Sequence, residues 1–280
     1  MLRVDAPAKI NLSLQVIGRR PDGYHELRSV LQTVTVLDTL TFVPAADTSL
    51  HVSDPVLQTP DNLVLRAAEI LQRRTGQRRG VEITLDKHIP HAAGLGGGSS
   101  DAATTVLALD RLWGTHLGKS DRLQVAAELG SDVPFFLVGG TARVAGRGEI
   151  VEALPRVPET WYVLVKPAFA VSTAAIFRAL QPNEWSDGEA TEDLVKHIRM
   201  GGTPRFGPND LMAPLFRLYS EARDCYDLVL SLRPDDITVS GSGATIVGLF
   251  HDPERALDAA RRIEGIHWVR VAMPYHHRED

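Results

Sequence analysis

Pro90-His91-Ala92-Ala93-Gly94-Leu95-Gly96-Gly97-Gly98-Ser99-Ser100 is the stretch on which the reading of this chain turns. Glycine admits positive φ and lets the backbone approach a ligand closely, so successive N–H groups in such a loop can converge on phosphate oxygens. Before it, Val81, Ile83 and Leu85 alternate as in a strand. After it, Ala102, Val106, Leu109 and Trp113 fall on one helical stripe that Gly114 ends. Ser99 or Ser100 is expected to cap that helix. The helix N-terminus adds partial positive charge and unpaired donors, so strand, loop and helix together make an anion site. A flexible glycine linker would not be framed in this way.

Spacing narrows the kind of loop. A dinucleotide fingerprint starting at Gly94 needs its third glycine where Ser99 stands, and a Walker A loop ending at Gly118-Lys119-Ser120 needs glycine where Trp113 stands. Both fail, and Lys119 reads as a surface residue.

The 280 residues allow two packed lobes, with 44% apolar and 23% charged residues, an ordinary globular balance. The net charge of −5 excludes a non-specific nucleic-acid binder, so an anionic ligand needs a local positive site. A lone Cys225 excludes an internal disulfide and a cysteine metal cluster, and reads as a small buried hydrophobe. Asp5, Pro7 and Asn11 interrupt the N-terminal stretch where a secretory signal would be apolar, and no run approaches a membrane span. A cytoplasmic location is expected.

Residues 9–16 read as a strand with Ile10, Leu12 and Leu14 on one face, followed by a turn at Pro21-Asp22-Gly23. Val34, Val36, Leu40 and Phe42 recur at period two, with a break at Leu37-Asp38-Thr39. Helices are expected over 62–74 and 121–129, and a strand over 161–165. A shift in composition near Pro155 and Pro158 sets the lobe boundary, giving lobes 1–157 and 158–280. Beyond it we expect a mobile polar stretch over 181–191 and one helical segment over 211–232. A strand, glycine turn and strand follow around Ile237, Val239, Ile246, Val247 and Leu249, then a helix over 253–263 and a strand over 268–272.

The loop, together with Pro7-Ala8-Lys9-Ile10-Asn11-Leu12, Gly130-Ser131-Asp132-Val133-Pro134-Phe135-Phe136 and Ser240-Gly241-Ser242-Gly243-Ala244, resembles the GHMP kinases over nearly the whole chain. The resemblance implies an α+β fold of two lobes, the first like domain 2 of ribosomal protein S5 and the second ferredoxin-like. It implies ATP as co-substrate with Mg²⁺, a small-molecule acceptor, a monomer or homodimer, and neither nucleic acid nor membrane as partner. Arg20-Pro21-Asp22-Gly23-Tyr24-His25-Glu26-Leu27 sharpens it toward members that phosphorylate the 2-hydroxyl of a cytidine-diphosphate-linked methylerythritol in the non-mevalonate isoprenoid route. By the same resemblance Lys9 and Asp132 are catalytic, and Pro90 to Ser100 (Pro90, His91, Ala92, Ala93, Gly94, Leu95, Gly96, Gly97, Gly98, Ser99, Ser100) hold the nucleotide with Asn62 and Lys87. Asn11, Tyr24, His25, Thr173, Phe177, Gly241, Ser242 and Gly243 hold the substrate. Ala92 and Ala93 depart from the pattern, which often has glycine there, and imply altered loop stiffness.

Each residue also has a plain local reading. Asp132, on a turn between Gly130 and Pro134, suits a carboxylate facing a cleft or a helix cap. Lys9 suits a cation that keeps a neighbouring carboxylate ionised or a solvated strand lysine, and Asn11 shares its strand face. Tyr24 and His25 follow a turn, from which a ring can stack on a base and an imidazole can bond its edge. Phe177 also suits a helix core, Asn62 an N-cap, Lys87 a solvated strand end and Gly241-Ser242-Gly243 a tight hairpin. His276 and His277 point to opposite faces of an extended segment and read as an exposed tail. A GHMP kinase acting on mevalonate, homoserine or a sugar would not need the stacking platform.

Overall fold

The computed structural model describes residues 1–276, so His277 lies outside the described residues. The chain forms two compact units. The first comprises residues 1–8, 36–91 and 96–138, and the second residues 9–35, 92–95 and the chain from 139 onward. Two long strands, β1 (Leu2–Arg19) and β2 (His25–Ala45), contribute to both.

In the first unit, β2 pairs antiparallel from Thr39 to Ala45 with β4 (Gly80–Asp86), and β3 (Ser49–Val52) pairs parallel with β4. The strict alternation of buried and exposed residues along β4 marks a strand with one packed face. Four helices belong here: α1 (Leu63–Thr75), α2 (Gly97–Trp113), α3 (Lys119–Leu129) and α4 (Val133–Val138). Asn62 caps α1 by accepting from Val64 N, and Gly76 closes it at φ 69°. Leu40, Phe42, Val81 and Ile83 pack with Val64, Leu71, Leu109 and Trp113. The helical stripe read from the sequence is therefore the buried face of α2, and Gly114 ends that helix at φ 65°. Lys119 is exposed, as expected.

β2 does not break at residues 37–39. Asp38 stays in the strand and is wholly buried, because a cation meets it there. β1 is also longer than expected and is buried on both faces from Ala6 to Val16.

The second unit pairs β2, from Leu27 to Gln32, with β5 (Thr141–Gly146), and β5 with β6 (Ile150–Ala153). Its other sheet holds β7 (Trp161–Lys166), β8 (Asp236–Val239), β9 (Ile246–Phe250) and β10 (Trp268–Ala272) in the order β10-β7-β9-β8, all antiparallel. That order is the ferredoxin-like arrangement. Helices α5 (Thr173–Ala179), α6 (Glu189–Arg199), α7 (Met212–Leu218), α8 (Ser220–Ser231) and α9 (Pro253–Arg262) complete the unit. Val163, Val165, Ile246 and Phe250 share a core with Val229, Ala256 and Cys225, whose thiol burial pushes up to about 11.

Three expectations change here. Residues 211–232 form two helices, because Tyr219 leaves the helical region at φ −134°, ψ 93° and stacks on Phe169 at 5.8 Å. Residues 181–191 are held in place. Gln181 N donates to Glu184 Oε2 at 2.8 Å, Ser186 N donates to Val16 O at 2.9 Å, and Arg217 pairs with Glu184 at 2.7 Å. His276 is half-buried, and burial lowers its pKa. Among the described residues no helix is long and apolar enough to cross a membrane.

Candidate active site

The glycine loop turns by alternation. Ala92, Gly94 and Gly96 have φ of 50°, 75° and 70°, while Ala93 and Leu95 do not have positive φ. Alternating hands of backbone turn successive N–H groups toward one side, the geometry of an anion-binding nest. Gly96 is the N-cap of α2 and provides no side-chain cap, which corrects the expectation that Ser99 or Ser100 would do so. Both serines lie inside the helix, and the first-turn N–H groups are left for a ligand. Ser100 is wholly buried, with its Oγ lacking a hydrogen-bond partner; Pro90 is half-buried, and His91 is exposed with Nδ1 3.6 Å from Asp54.

The two sides of this loop meet at a buried cation. Lys87, expected as a solvated strand end, has only 7% of its side chain exposed and pairs with Asp38 and, at 2.7 Å, with Asp101 of α2. Asp38 also accepts from the backbone N–H groups of His88 and Ile89, at 2.5 and 2.8 Å, so it holds the chain as it enters the loop. A Cβ on Gly97 would stand 3.2 Å from Lys87 Nζ. Burial alone would lower the Lys87 pKa, but the Asp101 and Asp38 carboxylates hold it above its ordinary value. Burial pushes the Asp101 carboxyl up to about 7 against the pull of Lys87, and its Oδ1 has no hydrogen-bond partner. Asn62 meets its plain local reading, donating to Leu57 O at 2.9 Å while it caps α1.

In the second unit, β1 presents a buried polar face. Ile10, Leu12, Leu14 and Val16 alternate with Lys9, Asn11, Ser13 and Gln15, and all eight are buried. Lys9 is 4% exposed, which rules out a solvated lysine, and its Nζ donates to Asn11 Oδ1 at 2.7 Å. Asn11 Nδ2 donates to Ser29 Oγ at 3.0 Å, and Ser29 in turn to Ser13 O. A buried polar row survives only when it is hydrogen-bonded through, which this one is.

The turn between β8 and β9 closes onto that row. A Cβ on Gly241, at φ 60°, would stand 3.3 Å from Lys9 Nζ and 3.5 Å from both Asn11 Oδ1 and Gly94 O. A Cβ on Gly94 would lie 2.2 Å from Ser240 O and 2.8 Å from Gly243 O, so glycine is required there by close approach, whereas at Gly241 the positive φ is what favours it. Ser240 Oγ donates to Gly94 O at 2.9 Å, Lys9 N to Leu95 O at 2.9 Å, and Thr173 Oγ1 meets Ser242 Oγ at 2.8 Å. The expected Lys9, Asn11, Gly94, Gly241 and Ser242 are thus brought together.

The expected stacking rings pair differently. His25 stacks on Phe177 of α5 with centroids 5.1 Å apart, whereas Tyr24 is exposed beneath the Arg147 guanidinium at 5.0 Å. Burial, with Arg19 adding to it, lowers the His25 pKa, so its ring is neutral near pH 7 and both donates and accepts. Asp132 lies half-buried in the turn leading into α4, where Val133 N donates to Gly130 O at 3.3 Å.

Sequence reading missed Asp38, Asp101 and Asn209, whose side-chain amide donates to Val239 O at 2.8 Å and to Gly241 O at 2.9 Å. Asp38 left a signal, a charge at an inward position of an alternating strand, but one that looked like a break. Asn209 left none, since Pro208-Asn209-Asp210 reads as an ordinary turn.

Residues 62–140 match the GHMP kinases N terminal domain, and a crystal structure of homoserine kinase from Cytophaga hutchinsonii superimposes with a TM-score of 0.72 at 19% identity over 98% of this chain and 94% of that one. The fold and the glycine loop define a GHMP kinase. A 4-diphosphocytidyl-2-C-methyl-D-erythritol kinase of Pelotomaculum thermopropionicum is 41% identical over 92% of both chains. A crystal structure of 4-(cytidine 5'-diphospho)-2C-methyl-D-erythritol kinase has a TM-score of 0.85 at 34% identity, covering 98% of this chain and 100% of that one. The chain belongs to the 4-diphosphocytidyl-2-C-methyl-D-erythritol kinase family of the GHMP kinases.

Proposed function

We propose that this chain uses ATP to phosphorylate the 2-hydroxyl of 4-diphosphocytidyl-2-C-methyl-D-erythritol, in the non-mevalonate route to isoprenoid precursors. The observation that carries the reading is the family membership, at 41% identity across nearly the whole chain. Residues 1–157 supply the nucleotide and catalytic groups, and residues 158–280 complete the substrate site. The loop from Pro90 to Ser100 cradles the triphosphate with its backbone N–H groups and the start of α2, with Asn62 and Lys87 on the nucleotide side.

An Mg²⁺ would be carried in on the nucleotide. The unpartnered hydroxyl of Ser100 is the loop oxygen that fits it, and the ion would neutralise charge between the β- and γ-phosphates. On the acceptor side Tyr24 and Phe177 stack on the cytosine while the neutral His25 bonds its edge. Asn11, Thr173 and the Gly241-Ser242-Gly243 turn hold the rest of the substrate. The 2-hydroxyl oxygen attacks the γ-phosphorus, its proton passes to the Asp132 carboxylate, and ADP leaves. Lys9 offsets the negative charge on the transferring group. Cytoplasmic residence fits the single buried Cys225.

A coupled assay of ADP release tests this. We expect turnover that needs Mg²⁺ and the cytidyl substrate, and a fall in kcat of about 10²–10⁴-fold for Asp132→Asn with nucleotide binding kept. Turnover of a simple alcohol with none of the cytidyl substrate would refute the assignment.

A further inference from the structure

Residues 207–210 run alongside β1. Gly207 N donates to Leu12 O at 2.7 Å, Leu14 N to Pro208 O at 2.8 Å, and Asp210 N to Leu14 O at 2.9 Å. These bonds fix the backbone of Asn209, which is 8% exposed. Its Nδ2 donates to Val239 O at 2.8 Å and to Gly241 O at 2.9 Å, and its Oδ1 accepts from Leu211 N at 3.0 Å. The orientation of the amide is not arbitrary, since two carbonyls call for the donor end and an N–H for the acceptor end. Both donor hydrogens are spent on the two carbonyls that flank Ser240.

The turn held in this way is the one whose Gly241 abuts Lys9 Nζ and whose Ser240 hydroxyl bonds Gly94 O. We propose that Asn209 is the positioning residue of the Ser240-Gly241-Ser242-Gly243 turn, and through it of the Lys9 ammonium and the Gly94 segment of the glycine loop. The proposal rests on the kinase reading for its effect on turnover, but not for its effect on the turn. Asn209 touches no reacting group; its two donor bonds keep a glycine-rich hairpin, which has few side chains of its own to stiffen it, in the one conformation that fits against Lys9.

Asn209→Asp is the informative change. It keeps the shape and the acceptor for Leu211 N, removes both donors, and sets carboxylate oxygens against two carbonyls. We expect kcat to fall at least about tenfold while KM for ATP changes by less than about threefold. Val229→Ala, a cavity in the core of the same unit, is the stability control and should keep kcat within about twofold at an equal loss of Tm. Gly241→Ala should also lower kcat, and adding Asn209→Asp to it should cost little more, because both act through the turn. In full-length protein without ligand, amide exchange at Gly243 and Thr245 should speed up at least about tenfold in Asn209→Asp while that of β7 stays unchanged.

A kcat within about twofold of the parent, a loss reproduced by Val229→Ala, or unchanged exchange at Gly243 would each overturn the proposal. If the aspartate variant does not fold, Asn209→Ser is read by the same criteria. Failure of the kinase reading is separable: the parent then shows no ADP release with the cytidyl substrate, and the exchange measurement alone decides the role of Asn209.

Discussion

Ala92 has φ of 50°, a left-handed conformation that costs an L-residue roughly 1–2 kcal/mol and glycine little. The departure noted in the sequence, alanine where glycine is common, therefore falls on a position whose backbone prefers glycine. Ala92→Gly relieves that strain but loosens the unfolded chain, so the expected net gain is up to about 1 kcal/mol, read as a Tm a few degrees higher. Ala92→Val should lower Tm, because a β-branched side chain tolerates positive φ least. Lys9 and Lys87 carry a second lesson at this scale. Sequence alone left both as possible solvated lysines, since nothing in a single chain says which face of a strand is covered. Burial decided it, and in each case an oxygen partner lies within hydrogen-bond reach.

The elements around the glycine loop were legible where periodicity was clean. The alternation of β4 and the stripe of α2 predicted the strand and helix that frame it, and the hairpin of β8 and β9 was read with its glycine turn in place. Two expectations fail where polar residues find partners elsewhere in the chain. Asp38 was read as a break in β2, and the polar residues after Gln181 as a mobile stretch, whereas both are fixed by partners distant in sequence. The ion triad has a consequence for α2 that pH can read. Burial pushes the Asp101 carboxyl up to about 7, above its ordinary 3.8. Between those values the folded state keeps a proton that the unfolded state has lost, so stability from this group falls as pH rises from about 4 to about 7 and is level above that. Asp101→Asn should remove that slope, measured as the difference in urea midpoint between pH 5 and pH 8. A slope identical to the parent's would assign the effect to other groups.

At the scale of the whole molecule, packing does not follow the order of the chain. Each compact unit gathers segments from distant stretches of sequence, and β1 serves both. Within the second unit, β1 supplies the backbone partners of Gly207, Pro208 and Asp210, the Val16 carbonyl that Ser186 N meets, and the Gln15 amide that accepts from Thr191 N at 2.8 Å. A fragment beginning at residue 158 would leave all of these groups unpaired, so the segments that follow residue 158 need the first strand. Composition and charge predicted none of this, because such pairings are properties of the folded chain.

The fold has also sorted the chain's amines by chemical reactivity. Lys119 and Lys196 are exposed and Lys166 is half-buried, while Lys9 and Lys87 are sealed in and Lys87 is held protonated by its two carboxylates. Acylation needs both access and a neutral nitrogen, so a brief treatment with an amine-acylating reagent should modify Lys119 and Lys196 in the native protein and reach Lys9 and Lys87 only on unfolding. Peptide mass spectrometry across a denaturant series would then show the two amines proposed for phosphate chemistry as the last to be marked; early acylation of Lys87 would mean that its triad opens in the native state.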